Sequence, residues 1–233
     1  MTIVIPSKNE GINLFYCLYH ISRQEGIKGT RVIVADSSTE EESKRWLKYA
    51  QKAYSPTINV ETIEGGFPAK ARLEGSKMAT TELILFLDAD MWLTGEDTIA
   101  KTVREIDKSK DLVTTTVRTD PPYNPVYRAF YLCQLLSQHL LKSPFALGGF
   151  QLWRTEAYWK TGGYDPRELF AEDYSISRKV VPKRFKVKRL NGVYTSARRF
   201  KKRGVLWMAN IMVKSYLYRN DPEFFRRHHG YWD

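Results

Sequence analysis

The chain has 233 residues, 42% of them hydrophobic and 13% aromatic, which is enough apolar material for a buried core and too much for a disordered segment. Its net charge is +11, yet residues 182–233 hold fourteen Lys and Arg against three Asp and Glu, so the excess belongs to the C-terminal fifth and calls for an anionic partner there. The two cysteines, Cys17 and Cys133, exclude a disulfide framework and a CxxC zinc site and point to a reducing compartment.

"TIVIP" (2–6) reads as a β-branched strand closed by Pro6, with none of the basic and apolar regions of a signal peptide before it. "EGINLFYCLYHISRQ" (10–24) repeats apolar residues at helical spacing. "RVIVAD" (31–36) is a second strand ending in Asp36 and the polar loop "SSTEEE". "EEESKRWLKYAQKAY" is helical, "INVETI" (58–63) is a third strand, and "PAKARLEGSKMA" (68–79) is a helix with Pro in its first turn. "ELILFLD" (82–88) is the fourth strand. This alternation predicts stacked βαβ units, an α/β fold and a mostly parallel sheet. Functional groups in such sheets gather beyond the carboxyl ends of the strands. Residues 6–10, 36–38 and 88–90 are therefore expected at one edge.

The second half changes character. "LVTTTVR" (112–118) reads as a strand, "PPYNP" as a loop and "VYRAFYLCQLLSQHLL" (126–141) as a strongly apolar helix. "FALGGFQLWR" (145–154) reads as a strand containing a glycine pair, a mark of close backbone approach to another group. "TEAYWKTGGYD" is a short helix ending at Gly162-Gly163, and "AEDYSISRKV" opens a helix with Glu172 and Asp173 in its first turn. The last apolar stretch, "VLWMANIMVKSYLYR", is flanked by basic runs. It suits packing on the domain, a dimer face, or an acidic membrane surface. No run reaches the ~20 apolar residues of a membrane span.

Asp88 and Asp90 form a D-x-D at the end of a hydrophobic strand. Two carboxylates so close repel unless a cation joins them. Their oxygens suit Mg²⁺ or Mn²⁺, which takes one or two protein carboxylates and completes its shell with phosphate oxygens and water. The plainer alternative is a helix cap and a surface aspartate. Glu172-Asp173 is the second acidic pair, although the helix dipole favours acidic residues in a first turn in any case.

The motifs "VIPSKNEG", "VIVADSST", "AKARLEGSKMATTELILFLDADMW", "GGFQLWR" and "AEDYSISRKV" follow one another in an order that resembles the family 2 glycosyltransferases over roughly residues 2–200. The resemblance implies the GT-A fold, here with a basic C-terminal helical extension. Residues 1–200 would be the GT-A domain, with a nucleotide-sugar half (1–118) and an acceptor half (119–200), and 201–233 the extension. It also implies an inverting transferase, dependent on Mn²⁺ or Mg²⁺, that moves a sugar from a nucleotide-diphosphate sugar to a hydroxyl of a glycan, a lipid-linked glycan or another acceptor. Pro6, Asn9 and Glu10 would line the nucleotide pocket and Asp36 would face the base, unless Asp36 only caps the next helix. Lys70 and Arg72 would lie beside the nucleotide, unless they form a solvated helix face. In Asp88-Ala89-Asp90, Asp88 would reach ribose or metal and Asp90 metal and diphosphate. Asp173 would be the general base that an acceptor hydroxyl needs, with Glu172 supporting it. Gly148, Gly149 and Phe150 would form the acceptor wall, and Trp153 would stack on a sugar or belong to the core. Arg198 and Arg199 would clamp the diphosphate, unless they belong to a solvated loop. His228 or His229 stands where a late histidine completes the metal site in some GT-A enzymes; the alternative is an inert tail.

Other classes fit less well. A sugar nucleotidyltransferase needs a glycine-rich basic loop after the first strand, and a dinucleotide-binding dehydrogenase needs G-x-G-x-x-G there; "PSKNEG" is neither. A non-catalytic binder of nucleic acid or glycan would use the basic, aromatic tail. No nucleic-acid motif accompanies that tail, and no nucleic acid is expected as partner. The expected location is cytoplasmic, with peripheral contact to an acidic membrane through residues 182–233.

Overall fold

The computed structural model describes residues 1–107, 109–119 and 121–231. The first part alternates as the pattern requires: β1 (Thr2–Ser7), α1 (Ile12–Ser22), β2 (Arg31–Asp36), α2 (Glu41–Tyr54), β3 (Asn59–Glu64), α3 (Pro68–Lys77) and β4 (Leu83–Leu87). Then come β5 (Met91–Leu93), α4 (Thr98–Val103), β6 (Leu112–Thr115), α5 (Asn124–His139), β7 (Phe150–Arg154), α6 (Thr155–Lys160) and α7 (Glu172–Ser177). The chain closes with β8 (Phe185–Lys188), β9 (Val193–Thr195), α8 (Arg198–Arg203), α9 (Val205–Leu217) and α10 (Pro222–Phe225).

Seven strands make one sheet in the order β3-β2-β1-β4-β7-β6-β8, and β5 pairs with β9 in a small second sheet. β1 is parallel to β2 and β4, β2 to β3, and β6 to β8. β7 runs antiparallel to both β4 and β6. The sheet is therefore mostly parallel with one reversed strand, and β7, from the expected acceptor half, sits between two strands of the expected nucleotide half.

Alternation along the strands sorts the core. Ile3 and Ile5 of β1 pack with Leu14, Cys17, Leu18 and Ile21 of α1 on one face. Val4 turns to the other face, with Ile84, Phe86, Trp153 and Tyr158. The acceptor role expected of Phe150 fails here, and Trp153 takes the second of its two readings, the core. Phe150 and Trp153 are fully buried strand residues, paired across the ladder with Leu87 and Ile84. Trp153 donates its indole N–H to Gln151 Oε1 at 3.0 Å. Neither side chain is available to an acceptor, because β7 is an interior strand whose two faces are both covered. The glycine pair is also not inside a strand: β7 begins at Phe150, and Gly148-Gly149 belong to the preceding loop.

Helix α3 lies against β1 so closely that a Cβ added at Gly75 would run into the Val4 side chain. Ala is the better helix former by about 1 kcal/mol, but overpacking a tight core costs about 1–3 kcal/mol. Gly75→Ala is therefore expected to lower stability by up to about 2 kcal/mol, read from the urea midpoint.

The residues after 200 are not an appendage. Helix α8 crosses the expected boundary. Phe200 and Met208 pack on Phe130 of α5, and Ile211, Phe224 and Phe225 pack on Phe170 and Tyr174. The aromatic content of this segment is the reason: these rings need burial, and the domain beside α7 supplies it. Residues 232 and 233 of the tail lie outside the described residues. No helix among the described residues is long and apolar enough to cross a membrane.

Candidate active site

Because β1, β2 and β4 are parallel, Ser7, Asp36 and the residues after Leu87 emerge at the same edge. There the loops after these strands meet the loop before β7, the start of α7 and the start of α8 around one cleft of about 970 Å³. Pro6, Asn9, Glu10, Arg72, Asp88, Ala89, Asp90, Gly148, Gly149, Glu172, Asp173, Arg198 and Arg199 all line it. Asp36 and Lys70 do not.

Asn9 holds the floor. Its φ of 53° is left-handed, a conformation that Asn tolerates. Its Oδ1 accepts from the backbone N–H of Thr39 at 2.8 Å and of Glu40 at 3.2 Å, tying the loop after β1 to the loop after β2. Asp36 accepts from Ser38 Oγ at 2.7 Å, and Ser38 Oγ in turn accepts from Asn9 N–H at 2.9 Å. Asp36 thus braces this loop through Oδ1. Lys70 lies exposed on α3, its stem against Gly66.

Arg72 is the buried link of the site. Its side chain is 3% exposed; Nη2 donates to Asp88 Oδ1 at 2.5 Å and Nη1 donates to Glu172 Oε1. One guanidinium thus joins α3, the end of β4 and the start of α7. Burial alone would depress its pKa; Asp88, then Glu172, Tyr164 and Asp173 overcome that and hold it above the usual range. The sequence expectation placed Arg72 against nucleotide, and its guanidinium instead bridges two carboxylates.

Asp173 follows Ala171, whose left-handed φ of 48° turns the chain sharply into α7. Its two oxygens accept backbone hydrogen bonds, Oδ2 from Gly148 N–H and Oδ1 from Tyr174 N–H, both at 2.8 Å. Gly148 is needed for this approach: a Cβ there would stand 3.1 Å from Asp173 Oδ2 and 3.3 Å from Arg72 Nη2. The glycines make room for the chain's own groups, Gly148 for Asp173 and Gly149 for Met91. Burial pushes the Asp173 carboxyl well above the ordinary carboxylate range and Glu172 adds to this, while Arg72 and the two backbone donors oppose it. A carboxylate lifted toward neutrality and pointed by two fixed donors suits proton acceptance.

At the donor side, Glu10 accepts both Nη groups of Arg198, at 2.5 and 2.8 Å. Arg198 Nη2 also lies 3.4 Å from Asp90 Oδ2, and Thr195 Oγ1 lies 3.4 Å from Asp90 Oδ1. Burial raises the Asp90 carboxyl to about 6, with Asp88 and Glu10 adding and Arg198 opposing. Arg199 Nη1 donates to Tyr231 Oη at 2.7 Å, and its guanidinium lies 4.6 Å from that ring's centre. His229 bonds the Phe224 carbonyl at 2.7 Å and packs on Phe170 and Phe224, which gives it a packing role away from the aspartates. The His228 ring lies edge-on to Phe67. Among the described residues no group of three or more His, Cys, Asp or Glu forms a metal cage. Tyr127, Thr195 and Tyr231 line the cleft without any local pattern in the sequence to announce them.

The model of the family described as "Glycosyl transferase family 2" matches residues 2–162. An uncharacterized glycosyltransferase, YfnE of Bacillus subtilis (strain 168), is 26% identical over 129 residues, which are 55% of this chain and 32% of that one. The chain thus spans about a third of this curated relative's length. The mannosyltransferase PcManGT from Pyrobaculum calidifontis, solved in complex with GDP-Man and Mn²⁺, superposes with a TM-score of 0.73 at 19% identity, covering 99% of this chain and 68% of that one. Residues 1–349 of S. aureus TarS in complex with UDP superpose with a TM-score of 0.62 at 20% identity, covering 84% and 60%. At such identities these likenesses speak for the fold, which is the mostly parallel α/β fold of GT-A glycosyltransferases. With the family model matching well over half of its length, the chain belongs to glycosyl transferase family 2.

Proposed function

We propose that the chain transfers a sugar from a nucleotide-diphosphate sugar to an acceptor hydroxyl, with inversion at the anomeric carbon. The observation that carries this reading is the placement of Asp173 in the same cleft as Asp88 and Asp90, with its neighbour Glu172 joined to Asp88 through Arg72. A base stands with a cation-seeking pair at one site.

The donor set fits a divalent cation. Asp88 and Asp90 offer hard oxygens only, and burial beside Asp88 and Glu10 disfavours the charge on Asp90, which Arg198 at 3.4 Å offsets only in part. Mn²⁺ or Mg²⁺ held by these two aspartates would neutralise the diphosphate as it leaves. The Pyrobaculum protein, solved with GDP-Man and Mn²⁺, supports this. The chain's own groups do the rest. Asp173 takes the acceptor proton as the acceptor oxygen bonds to the sugar carbon, and the bond from that carbon to the diphosphate breaks. With Asp173 acting on the acceptor oxygen and no covalent intermediate invoked, the transfer is a single displacement, hence inversion. Arg198 and Arg199, set beside the aspartates, hold the departing phosphates. Pro6, Asn9 and Glu10 frame the nucleotide, and Gly148 and Gly149 border the acceptor.

A nucleotide that binds only the folded chain raises its stability by about 2.7 kcal/mol at a hundred times its Kd, or roughly 5–10 °C in Tm for a chain of this size. With Mn²⁺ present, one of UDP, GDP and TDP is expected to give such a shift, and Asp90→Asn is expected to remove it. Absence of any metal-dependent shift in the native chain would overturn the reading.

A further inference from the structure

The cleft extends from the carboxylates to two apolar helices. About 970 Å³ stands at the top of the roughly 300–1,000 Å³ common for small-molecule pockets. Besides the carboxylates, its lining includes a stretch of α5 and α9. Phe130 and Cys133 of α5, Leu141 just beyond it, and Met208, Met212 and Val213 of α9 belong to this arm. Neither helix contributes a charged side chain to the lining. The same helices carry apolar residues outward: Leu136 is 55% exposed, Leu140, next to α5, 72%, and Leu206 of α9 87%. Besides Arg199, assigned above to the donor phosphates, Lys202 and Arg203 of α8 line the cleft. The cavity is thus amphipathic, with a proton acceptor, several cations and an apolar arm that opens among exposed leucines.

We propose that the acceptor is an amphiphile whose phosphate-bearing head presents a hydroxyl to Asp173 and whose hydrocarbon chain lies in the arm between α5 and α9. This rests on the transfer reading above and names the class of its acceptor. The step is the same: the head-group oxygen bonds to the sugar carbon, its proton passes to Asp173, and the nucleoside diphosphate leaves. A free glycan would leave the apolar lining unsatisfied. A protein surface would cover the outer leucines but could not follow a cavity that runs inward to Asp173. A chain with a polar end does both, and an anionic head matches the cations of α8.

Cys133 reports on the arm. It is exposed and lines the cleft, while Cys17 is buried. Cys17 is fully buried, so the reagent does not reach it. Alkylation of the full chain by N-ethylmaleimide therefore reads Cys133. Dodecyl phosphate, kept below its micelle concentration, is expected to slow that alkylation at least tenfold. The protecting concentration should fall about fourfold for each CH₂ added from octyl to dodecyl phosphate, and inorganic phosphate should not protect. Leu141→Asp and Val213→Asp, both at exposed positions, should abolish the chain-length dependence. Unchanged alkylation in dodecyl phosphate, with nucleotide still stabilising the fold, would overturn the amphiphile and spare the transferase. Loss of nucleotide stabilisation as well would overturn both. Protection that rises with protein concentration alone would assign the arm to a second copy and overturn the proposal.

Discussion

Asp173→Asn is expected to slow sugar transfer by about 10²–10⁴-fold, the usual range for a general base, with nucleotide-dependent stabilisation kept near the native level. The change is close to isosteric, so what it removes is basicity. The asparagine oxygen can accept from only one of the two backbone N–H groups that Asp173 now satisfies. The amide NH₂ would face the other donor, at about 1–3 kcal/mol, partly offset by the loss of a buried negative charge. The pH dependence separates the two effects. The folded-state pKa of Asp173 is raised; its contribution to stability is therefore full below the ordinary carboxylate range and is lost as pH rises through the folded value. Activity runs the other way, because the base works only when deprotonated. Native stability should thus fall toward neutral pH while transfer rises, and Asp173→Asn should flatten the stability curve. Urea midpoints and initial rates between pH 4 and about 8 check both signs. A native rate in the variant would put the base elsewhere. A raised pKa is not enough for the role: burial lifts Glu168 to about 7 as well, yet Glu168 is absent from the cleft lining and its carboxylate is held by Ser175.

Much of this site could be read from the sequence, and the limits of that reading have physical causes. The first four strands and their helices follow from local periodicity, and the convergence of residues 6–10 and 88–90 follows from parallel strands. The strands that escaped, β5, β8 and β9, are three or four residues long, too short to show alternation. Reversal of β7 is a tertiary choice with no local signature. Phe150 fails as an acceptor residue, and the sequence leaves Trp153 between sugar and core, because an apolar residue in a strand reads the same whether it lines a pocket or fills a core. Arg72 shows the reverse case. "AKAR" on a helix looks solvated, and only the fold reveals that position 72 points inward at carboxylates 16 and 100 residues away. The sequence leaves the tail between packing on the domain, a dimer face and a membrane surface for the same reason: its charges are visible there, but the rings of Phe200, Phe224 and Phe225 decide where it packs.

Arg72→Met is expected to destabilise the chain by about 3–5 kcal/mol, the range for breaking a buried ion pair from one side. The size follows from what stays behind. Glu172 is 8% exposed at its side chain and Asp88 28%, and both would lose their cation while Asp173 remains beside them. Arg72 is also one of the groups that oppose the upward shift of Asp173. Without it that carboxyl rises further, and transfer at neutral pH should fall along with stability. Arg72→Lys keeps the charge but should recover only part of the loss, since one ammonium cannot reproduce two Nη donors aimed at carboxylates on different elements. Adding Glu172→Gln to Arg72→Met should restore stability beyond the sum of the two single changes, because the second removes the charge that the first exposed. Urea denaturation of the four proteins measures this coupling. Simple additivity would mean that Arg72 and Glu172 act independently and that the bridge between β4 and α7 is an accident of packing. Non-additivity would mean that Arg72 and Glu172 act as one unit, so that the guanidinium held by Asp88 on one side of the cleft also fixes the residue beside the base on the other.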